Sequence, residues 1–110
     1  MGEAPLPLAG IKVLDLSRVF AGPVCGRILS DLGADVVKVE PPEGDVTRLW
    51  GRKAAGLSTY YVQQNVGKQN ICVDLRQAGG PALIRQLVEH ADIVVENFRP
   101  GVMAKYGLDY

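Results

Sequence analysis

Apolar residues follow two different spacings along the first part of the chain. Short runs rich in β-branched residues occupy residues 11–16 and 36–39, whereas apolar residues recur every three or four positions over residues 24–32. A period that changes from about 2 to about 3.6 and back predicts a strand, a helix and a second strand. Pro23 suits the first helical position, and Gly33 suits the left-handed position just past the helix end.

The two predicted strands are joined by a single short helix. Such a connection requires parallel strands and a right-handed crossover. The loop at residues 17–22 is therefore expected at the carboxyl end of the first strand. Ligands bind at that edge in open parallel sheets, so this loop is the first candidate for a functional site.

The rest of the chain continues the alternation of strands and helices. We predict a turn at residues 41–45, a long loop with a short helical turn at 46–57 and then a helix capped by Ser58. A strand at 70–75 and a helix from 78 or 81 to His90 follow. The last predicted elements are a buried strand at 93–95 and a short helix at 102–106. This order predicts an α/β fold with a mainly parallel sheet flanked by helices. Four strands and three helices leave a sheet edge uncovered, so we expect the fold to be incomplete without further chain or a partner.

Composition and charge narrow the class of protein. The 110 residues suffice for one domain, which we place at residues 10–110 after a mobile, proline-rich lead-in at 1–9. The formal net charge is zero without long charged blocks, which argues against a nucleic-acid partner. No stretch is apolar over the length of a membrane span and no export signal is recognisable, so we expect a cytoplasmic protein without membrane contact. Cys25 and Cys72 have no metal-binding spacing and are expected to stay reduced.

Three predicted loops converge on the carboxyl edge of the sheet, at residues 17–22, 75–77 and 97–101. They present cationic, amide and aromatic side chains, namely Arg18, Phe20, Arg76, Asn97, Phe98 and Arg99, with Lys105 close behind. Arginine can hold a phosphate or carboxylate through two parallel hydrogen bonds, and an aromatic ring can stack on a base. Each residue taken alone fits a solvated loop or rim packing better, but their convergence favours an anion site.

A dinucleotide site is the nearest rival, because Glu40 ends the second strand about where an acid that binds ribose is expected. The glycines contradict the dinucleotide site, because that class needs Gly-x-Gly-x-x-Gly, whereas the loop and the start of the following helix have only Gly22 and Gly26. We therefore predict that Glu40 is a strand-end residue held by a neighbouring N–H group or cation. His90, the only histidine, is predicted to end a helix, and no catalytic pair can be assigned from it. The aspartates at predicted strand ends are more simply caps or sheet-edge residues than nucleophiles: Asp15, Asp35, Asp74 and Asp92.

Five stretches of the chain resemble a known family when taken together. They are LAGIKVLDL at 8–16, AGP at 21–23, DLGADVVKVE at 31–40, GDVTR at 44–48 and VENFRPGV at 95–102. In this order and spacing they resemble the N-terminal part of the family III coenzyme A transferases. That group includes formyl-CoA:oxalate and carnitine CoA-transferases and the related α-methylacyl-CoA racemases. The resemblance covers nearly the whole chain.

The resemblance implies transfer between coenzyme A and a carboxylic acid through covalent intermediates on an enzyme aspartate. Acyl-CoA and a carboxylic acid would be the substrates, without a tightly bound cofactor, and two chains would interlock as rings in a homodimer. Residues 10–110 would form the N-terminal part of the Rossmann-like domain, whose carboxyl edge binds coenzyme A. Carried over by position, the contacts with the coenzyme fall on Phe20, Ala21, Val73, Asp74, Leu75, Arg76, Asn97, Phe98, Arg99 and Lys105.

The chain departs from the family pattern at two points. Many members have Arg-Pro after the strand-end glutamate, where the arginine can meet the nucleotide. Here the pair is Pro41-Pro42, so that contact is absent or comes from Arg48 or another cation. The nucleophilic aspartate of the family lies downstream of the matching stretch, so we assign no catalytic residue within this chain.

Two alternatives stay open from these residues. A racemase shares the fold and would use a histidine and an acid to move a proton at the α-carbon, in place of a nucleophilic aspartate. A non-catalytic chain that binds a nucleotide or completes a partner subunit is the other alternative. The nucleophilic aspartate of a transferase and the histidine and acid of a racemase would distinguish these two activities, and both lie downstream of the matching stretch.

Overall fold

Four parallel strands with helices on both faces form the fold, which confirms the predicted α/β class. The computed structural model describes residues 4–110. The elements are β1 (Lys12–Asp15), α1 (Ala21–Asp31), β2 (Asp35–Glu40), a 3₁₀ helix (Val46–Leu49), β3 (Lys53–Ala54), β4 (Leu57–Ser58), α2 (Thr59–Asn65), β5 (Gln69–Cys72), α3 (Gly80–Glu89), β6 (Ile93–Val95) and α4 (Val102–Lys105). None of the helices within residues 4–110 has both the length and the apolar character that crossing a lipid bilayer demands.

The main sheet has the strand order β5-β2-β1-β6, and all three pairings are parallel. Val13 pairs with Val36, and Leu14 pairs with Val94. Parallel strands have their carboxyl ends at the same edge of a sheet. The loops that follow β1, β2, β5 and β6 therefore meet at one edge, where the sequence predicts three of them.

Side chains alternate between the two faces of the sheet and form two core layers. Val13 and Val36 pack with Leu29 of α1 on one face. Leu14 packs with Ile84 of α3 on the other face, and Ile84 is fully buried. Full burial of an aliphatic side chain of this size contributes about 1.5–3 kcal/mol. These two layers fix the helices against the sheet and so determine where the loops at the carboxyl edge begin.

Helix α1 begins two residues earlier than the sequence predicts, at Ala21 instead of Pro23. Pro23 is tolerated in the first turn because the first N–H groups of a helix have no intrahelical acceptor, so its missing donor is not needed. The prediction for the end of the helix is confirmed. Gly33 adopts a φ of +106°, in the left-handed region that favours glycine.

Between β2 and α2 the chain has more structure than the sequence predicts. The turn at residues 41–45 and the short helical turn are confirmed, the latter as the 3₁₀ helix. The remaining loop prediction is wrong, because β3 and β4 form an antiparallel hairpin that turns at Ala55 and Gly56. Both turn residues have positive φ, as a tight hairpin requires. The Lys-Ala and Leu-Ser strands have no β-branched or aromatic residue that would have predicted them.

Ser58 caps α2 as predicted. Its hydroxyl accepts a hydrogen bond of 3.1 Å from the Tyr61 N–H. The same hydroxyl donates to the Trp50 carbonyl at 2.7 Å and so joins the end of the 3₁₀ helix to the start of α2. His90 directly follows the last residue of α3, which confirms its predicted place at a helix end.

The prediction of a buried β6 is wrong. Ile93 and Val94 are 36% and 37% exposed, because β6 is an edge strand with which no further strand pairs among residues 4–110. The apolar side of α3 is likewise covered only in part. Leu87 packs on the core, whereas Leu83 is exposed. The prediction that a sheet edge is uncovered is confirmed for residues 4–110, and the incompleteness of the fold stays a prediction.

The lead-in predicted at 1–9 begins with residues 1–3, which lie outside the described residues. From Leu6 onward it forms a hydrogen-bonded turn. The Ala9 N–H donates to the Leu6 carbonyl at 3.0 Å, and the Leu8 N–H donates to the Leu32 carbonyl at 2.8 Å. Leu8 also packs against the core layer formed with α1. The mobility of the lead-in stays a prediction.

Candidate functional site

A cleft of about 210 Å³ opens where the loops after the parallel strands meet. Its walls combine two arginines and two carboxylates with aromatic and aliphatic side chains. The lining residues are Arg18, Pro41, Glu43, Asp74, Leu75, Arg76, Phe98, Val102 and Tyr106. They come from all four loops at the carboxyl edge and from the α4 region, so the cleft lies where a parallel sheet is expected to bind a ligand.

Arg76 is held by Asp74 in the loop after β5. The Asp74 Oδ1 atom accepts hydrogen bonds from the backbone N–H of Arg76 at 3.0 Å and from its Nε at 2.9 Å. These hydrogen bonds lower the pKa of Asp74 and raise the pKa of Arg76, so both groups stay charged. Gly80 is needed beside them, because a Cβ atom at this position would lie 2.1 Å from the Asp74 carbonyl oxygen.

The other end of the Arg76 guanidinium contacts Glu43. Its Nη2 atom lies 3.1 Å from Glu43 Oε2. Both side chains are exposed, 63% for Arg76 and 57% for Glu43. Exposed ion pairs contribute little to stability because water screens them. This pair therefore joins two loops at the cleft without belonging to the core.

Arg18 lines the cleft from the loop after β1, and Asn97 fixes its backbone. The Arg18 N–H donates to Asn97 Oδ1 at 2.9 Å, and Asn97 Nδ2 donates to the Arg18 carbonyl at 2.7 Å. The guanidinium lies 5.4 Å from the centroid of the Phe98 ring, a cation–π geometry. Its buried Nε has no hydrogen-bond partner within residues 4–110. Arg18 can meet an anion only through the part of its guanidinium that lines the cleft.

The loops after β1 and β2 are joined by a fully buried ion pair. Lys38 Nζ lies 3.1 Å from Asp45 Oδ2 and donates to the Ser17 carbonyl at 3.0 Å. Asp45 also accepts from the N–H groups of Val19 at 3.2 Å and Thr47 at 3.0 Å. Burial alone would raise the pKa of Asp45, but hydrogen bonds from Thr47 and the charge of Lys38 lower it. The pair therefore fixes the loop that presents Arg18.

A second buried ion pair joins β1 to the segment before β5. Lys68 Nζ lies 2.7 Å from Asp15 Oδ2 and donates to the Pro23 carbonyl at 2.9 Å and to Asn65 Oδ1 at 2.8 Å. Three acceptors match the three donors of an ammonium group and offset the cost of burying it. The other Asp15 oxygen accepts from the backbone N–H and hydroxyl of Ser17. Burial lowers the pKa of Lys68, and the contact with Asp15 opposes that shift.

Glu40 is the centre of a third polar cluster, at the end of β2. Arg48 donates to it twice, from Nε to Oε2 at 2.7 Å and from Nη2 to Oε1 at 2.8 Å. The Asp45 N–H, the Tyr61 hydroxyl and Asn70 Nδ2 donate to the same carboxylate. Burial by itself would raise the pKa of Glu40, but these donors, Arg48 first, lower it to about 2. The prediction that a neighbouring N–H group or cation holds Glu40 is confirmed, and the structure shows both.

Arg48 is engaged by this cluster. Besides its two bonds to Glu40, its guanidinium lies 4.0 Å from the centroid of the Tyr61 ring. The hydrogen bonds to Glu40 raise the pKa of Arg48. Arg48 does not line the cleft, whereas Arg18 and Arg76 do. Arg48 is therefore held in the cluster around Glu40 and not at the cleft.

The residues assigned by resemblance fall into two groups. Asp74, Leu75, Arg76 and Phe98 line the cleft. Six do not line it: Phe20, Ala21, Val73, Asn97, Arg99 and Lys105. Asn97 acts on the cleft indirectly, through the backbone of Arg18. Whether all ten contact a ligand stays a prediction.

The residues outside the cleft differ in what they could contact. Phe20 is exposed immediately before the first residue of α1. The Val73 side chain packs in the core, so only its backbone can meet a ligand. Arg99 is exposed on the loop after β6. Lys105 Nζ lies 5.4 Å from the centroid of the ring of Tyr106, a residue of the cleft.

Four residues of the cleft are not among those that the sequence indicates. They are Pro41, Glu43, Val102 and Tyr106. Val102 and Tyr106 lie four positions apart, so helical spacing is the signal that could have found them. Glu43 has no such signal, because its contact with Arg76 depends on how a turn after one strand folds towards a loop after another.

The remaining candidate groups form no second centre in the part of the chain that the structure describes. No group of three or more His, Cys, Asp or Glu side chains there could hold a metal ion. Cys25 and Cys72 are free and exposed, so both are present as unpaired thiols.

Comparison with known proteins gives consistent matches over nearly the whole chain. The family model CoA-transferase family III matches residues 8–110. The chain is 52% identical to the succinate–glutarate CoA-transferase of Agrobacterium fabrum, over 94% of this chain and 28% of that protein. It is 45% identical to the succinyl-CoA–D-citramalate CoA-transferase of Chloroflexus aurantiacus, over 96% of this chain and 27% of that protein.

A solved structure gives the same result. A CaiB/BaiF family protein from Brucella suis has a TM-score of 0.90 at 49% identity, over 97% of this chain and 30% of that one. The chain spans about 28% of the length of the first of these curated relatives. The ordered motifs, the parallel sheet and the family model agree, and this chain belongs to CoA-transferase family III.

Proposed function

We propose that the full-length protein transfers coenzyme A from an acyl-CoA thioester to a carboxylic acid. Membership of CoA-transferase family III supports this reaction. Relatives at 52% and 45% identity are named for transfer that involves succinate, glutarate and D-citramalate. All three acids are dicarboxylic, so a dicarboxylate is the first acceptor to test. Coenzyme A is a substrate in this proposal, and no tightly bound cofactor takes part.

The observation that carries the proposal is the cleft that brings Arg18, Arg76 and Phe98 together at the carboxyl edge of the sheet. Coenzyme A contains phosphate groups and a nucleotide base. Guanidinium groups bind phosphate through charge-assisted hydrogen bonds, and an aromatic ring can pack against a base. We assign binding and orientation of the coenzyme to this chain, which reduces the entropic part of the barrier to transfer.

Residues around the cleft extend the proposed site. Arg99 and Lys105 would hold phosphate together with Arg76. Phe20 and Phe98 would line the path of the nucleotide or the pantetheine arm. The other predicted contacts would act through the backbone or by positioning these side chains, namely Ala21, Val73, Asp74, Leu75 and Asn97.

Titration of the full-length protein with coenzyme A tests the binding role. The triple variant Arg76→Ala, Arg99→Ala, Lys105→Ala should bind coenzyme A at least about tenfold more weakly, because a hydrogen bond to a charged group contributes about 1.5–3 kcal/mol. The control variant Arg52→Ala, Lys53→Ala, Arg85→Ala removes the same charge at exposed positions outside the cleft and should bind normally. Unchanged affinity in the first triple variant would exclude these residues from the site.

Transfer assays test the reaction itself. Coenzyme A thioesters mixed with a panel of dicarboxylic acids should exchange, so that one thioester disappears as another forms. Inversion at the α-carbon of the acyl group without any acceptor acid would instead identify a racemase. The proposal includes a cytoplasmic homodimer of interlocked chains, and sedimentation of the full-length protein should give twice the mass of one chain.

A further inference from the structure

The cleft contains two carboxylates that oppose the binding of an anion. Asp74 and Glu43 both contact Arg76, so the most exposed cation of the cleft is already paired. The inference drawn from this contact rests on the proposed function, in which a phosphate of coenzyme A enters the cleft. It concerns which of the two carboxylates leaves Arg76 when that happens.

The two carboxylates hold Arg76 in different ways. Asp74 accepts from the Arg76 backbone N–H as well as from Nε, so it fixes the direction of the guanidinium from within the same loop. Glu43 accepts only from Nη2, at 3.1 Å. Arginine has five N–H donors, so the Nη side can bind a phosphate in two places while Nε stays on Asp74. Glu43 occupies one of those donors.

The backbone around Glu43 is fixed, so its side chain can move alone. The Gly44 N–H donates to the Pro41 carbonyl at 2.9 Å, which closes the turn. The next residue, Asp45, is buried, and its N–H donates to Glu40 Oε2 at 2.8 Å. The Glu43 side chain is 57% exposed. It can rotate into water without any movement of the loop.

We propose that Glu43 is an internal competitor for Arg76. In the free protein its carboxylate takes an Nη donor of Arg76, and a phosphate of the ligand replaces it while Asp74 keeps the guanidinium in place. A phosphate monoester has close to two negative charges and outcompetes a carboxylate with one. A ligand without a phosphate at this position leaves the Glu43–Arg76 pair intact. The competition weakens coenzyme binding and so favours its release.

Calorimetric titration of the full-length protein with coenzyme A tests the exchange, using wild type, E43Q, R76A and the double variant. E43Q should bind coenzyme A roughly two- to fivefold more tightly, which is the range set by the strength of an exposed ion pair. R76A should bind more weakly. In the R76A background E43Q should have no effect, because there is no arginine to release. Glu89→Gln removes the same charge from an exposed position outside the cleft and should leave binding unchanged.

Three results would overturn the exchange. They are unchanged or weaker binding in E43Q, equal tightening by E43Q with and without Arg76, and tightening of the same size in the Glu89→Gln control. If E43Q tightened binding equally with and without Arg76, Glu43 would act by repelling the phosphate and not by occupying Arg76. If R76A binds weakly and E43Q binds like wild type, only the exchange fails and the proposed site stands. If R76A binds like wild type, the role of Arg76 in the proposed function fails as well.

Discussion

Charged side chains at the carboxyl edge of the sheet occupy two regions of opposite character. The interior cluster consists of five residues whose side chains are buried: Asp15, Lys38, Glu40, Asp45 and Lys68. The cleft contains Arg76 and Glu43, which are mostly exposed. Both regions pair a Lys or Arg with an Asp or Glu at similar distances. The types of residue therefore do not distinguish the regions, and the difference lies in their burial.

Burial gives the two regions different roles. A buried charge that loses its partner is left with a desolvation cost that nothing offsets. The interior cluster therefore holds the loops after β1 and β2 in one position. An exposed pair exchanges with water and ions at little cost, since solvent screens it. The cleft charges are therefore available to a ligand, on loops that the interior cluster positions.

The largest effect should follow the loss of one partner from the interior cluster. We expect Lys38→Met to lower the free energy of unfolding by about 3–5 kcal/mol, because Asp45 would remain as a buried charge without its cation. Urea unfolding of the full-length protein measures this change. The double variant Lys38→Met, Asp45→Asn removes both charges and should lose at least about 1 kcal/mol less than the sum of the two single variants. Strict additivity would show that the pair is not coupled and would remove the distinction between the regions.

Acid should affect the interior cluster through Glu40. The pKa of Glu40 is about 2 in the folded protein, below its ordinary value of 4.5. Its ionised form therefore adds stability above about pH 4.5, and this contribution is lost as the pH falls towards 2, at about 1.4 kcal/mol for each pKa unit. The difference in unfolding free energy between wild type and Glu40→Gln should be constant above about pH 4.5 and shrink below it. A difference that is the same at every pH would contradict this pKa.

The smallest effect on stability should come from the cleft. Arg76→Ala removes an exposed guanidinium, so its urea midpoint should equal that of wild type while its affinity for coenzyme A falls. Arg48→Ala is the matched arginine variant and should lower the midpoint, because Arg48 donates to the buried Glu40. If the two variants unfold at the same midpoint, burial does not separate the roles of the two regions.

Much of the fold could be predicted because its signals are local. The change of hydrophobic period predicted β1, α1 and β2, and the residue types at Gly33 and Ser58 predicted where helices end and begin. The predictions failed where a local signal was weak or depended on neighbours. The β3–β4 hairpin has no strand-forming residue, and β6 reads as a buried strand although it lies at a sheet edge.

The candidate site could be predicted only as a region. Parallel strands place the loops with Arg18, Arg76 and Phe98 at one edge, and that follows from the order of elements alone. The participation of Tyr106 and Glu43 in the cleft depended on how α4 and the turn after β2 pack. For Glu43 no spacing within a single element indicates this contact, and for Tyr106 the spacing from Val102 indicates only a shared helix face.

The sequence by itself determined the alternation of strands and helices, the family and the edge at which the cleft lies. These follow from short-range periodicity, from the handedness of the crossover and from the order of motifs. Only the tertiary structure decided which charges are buried and which line the exposed cleft. Asp15 meets Lys68 across 53 positions of the chain, and Glu43 meets Arg76 across 33. Burial depends on such distant contacts, so residues that look alike in the sequence hold the fold in one place and line an open cleft in another.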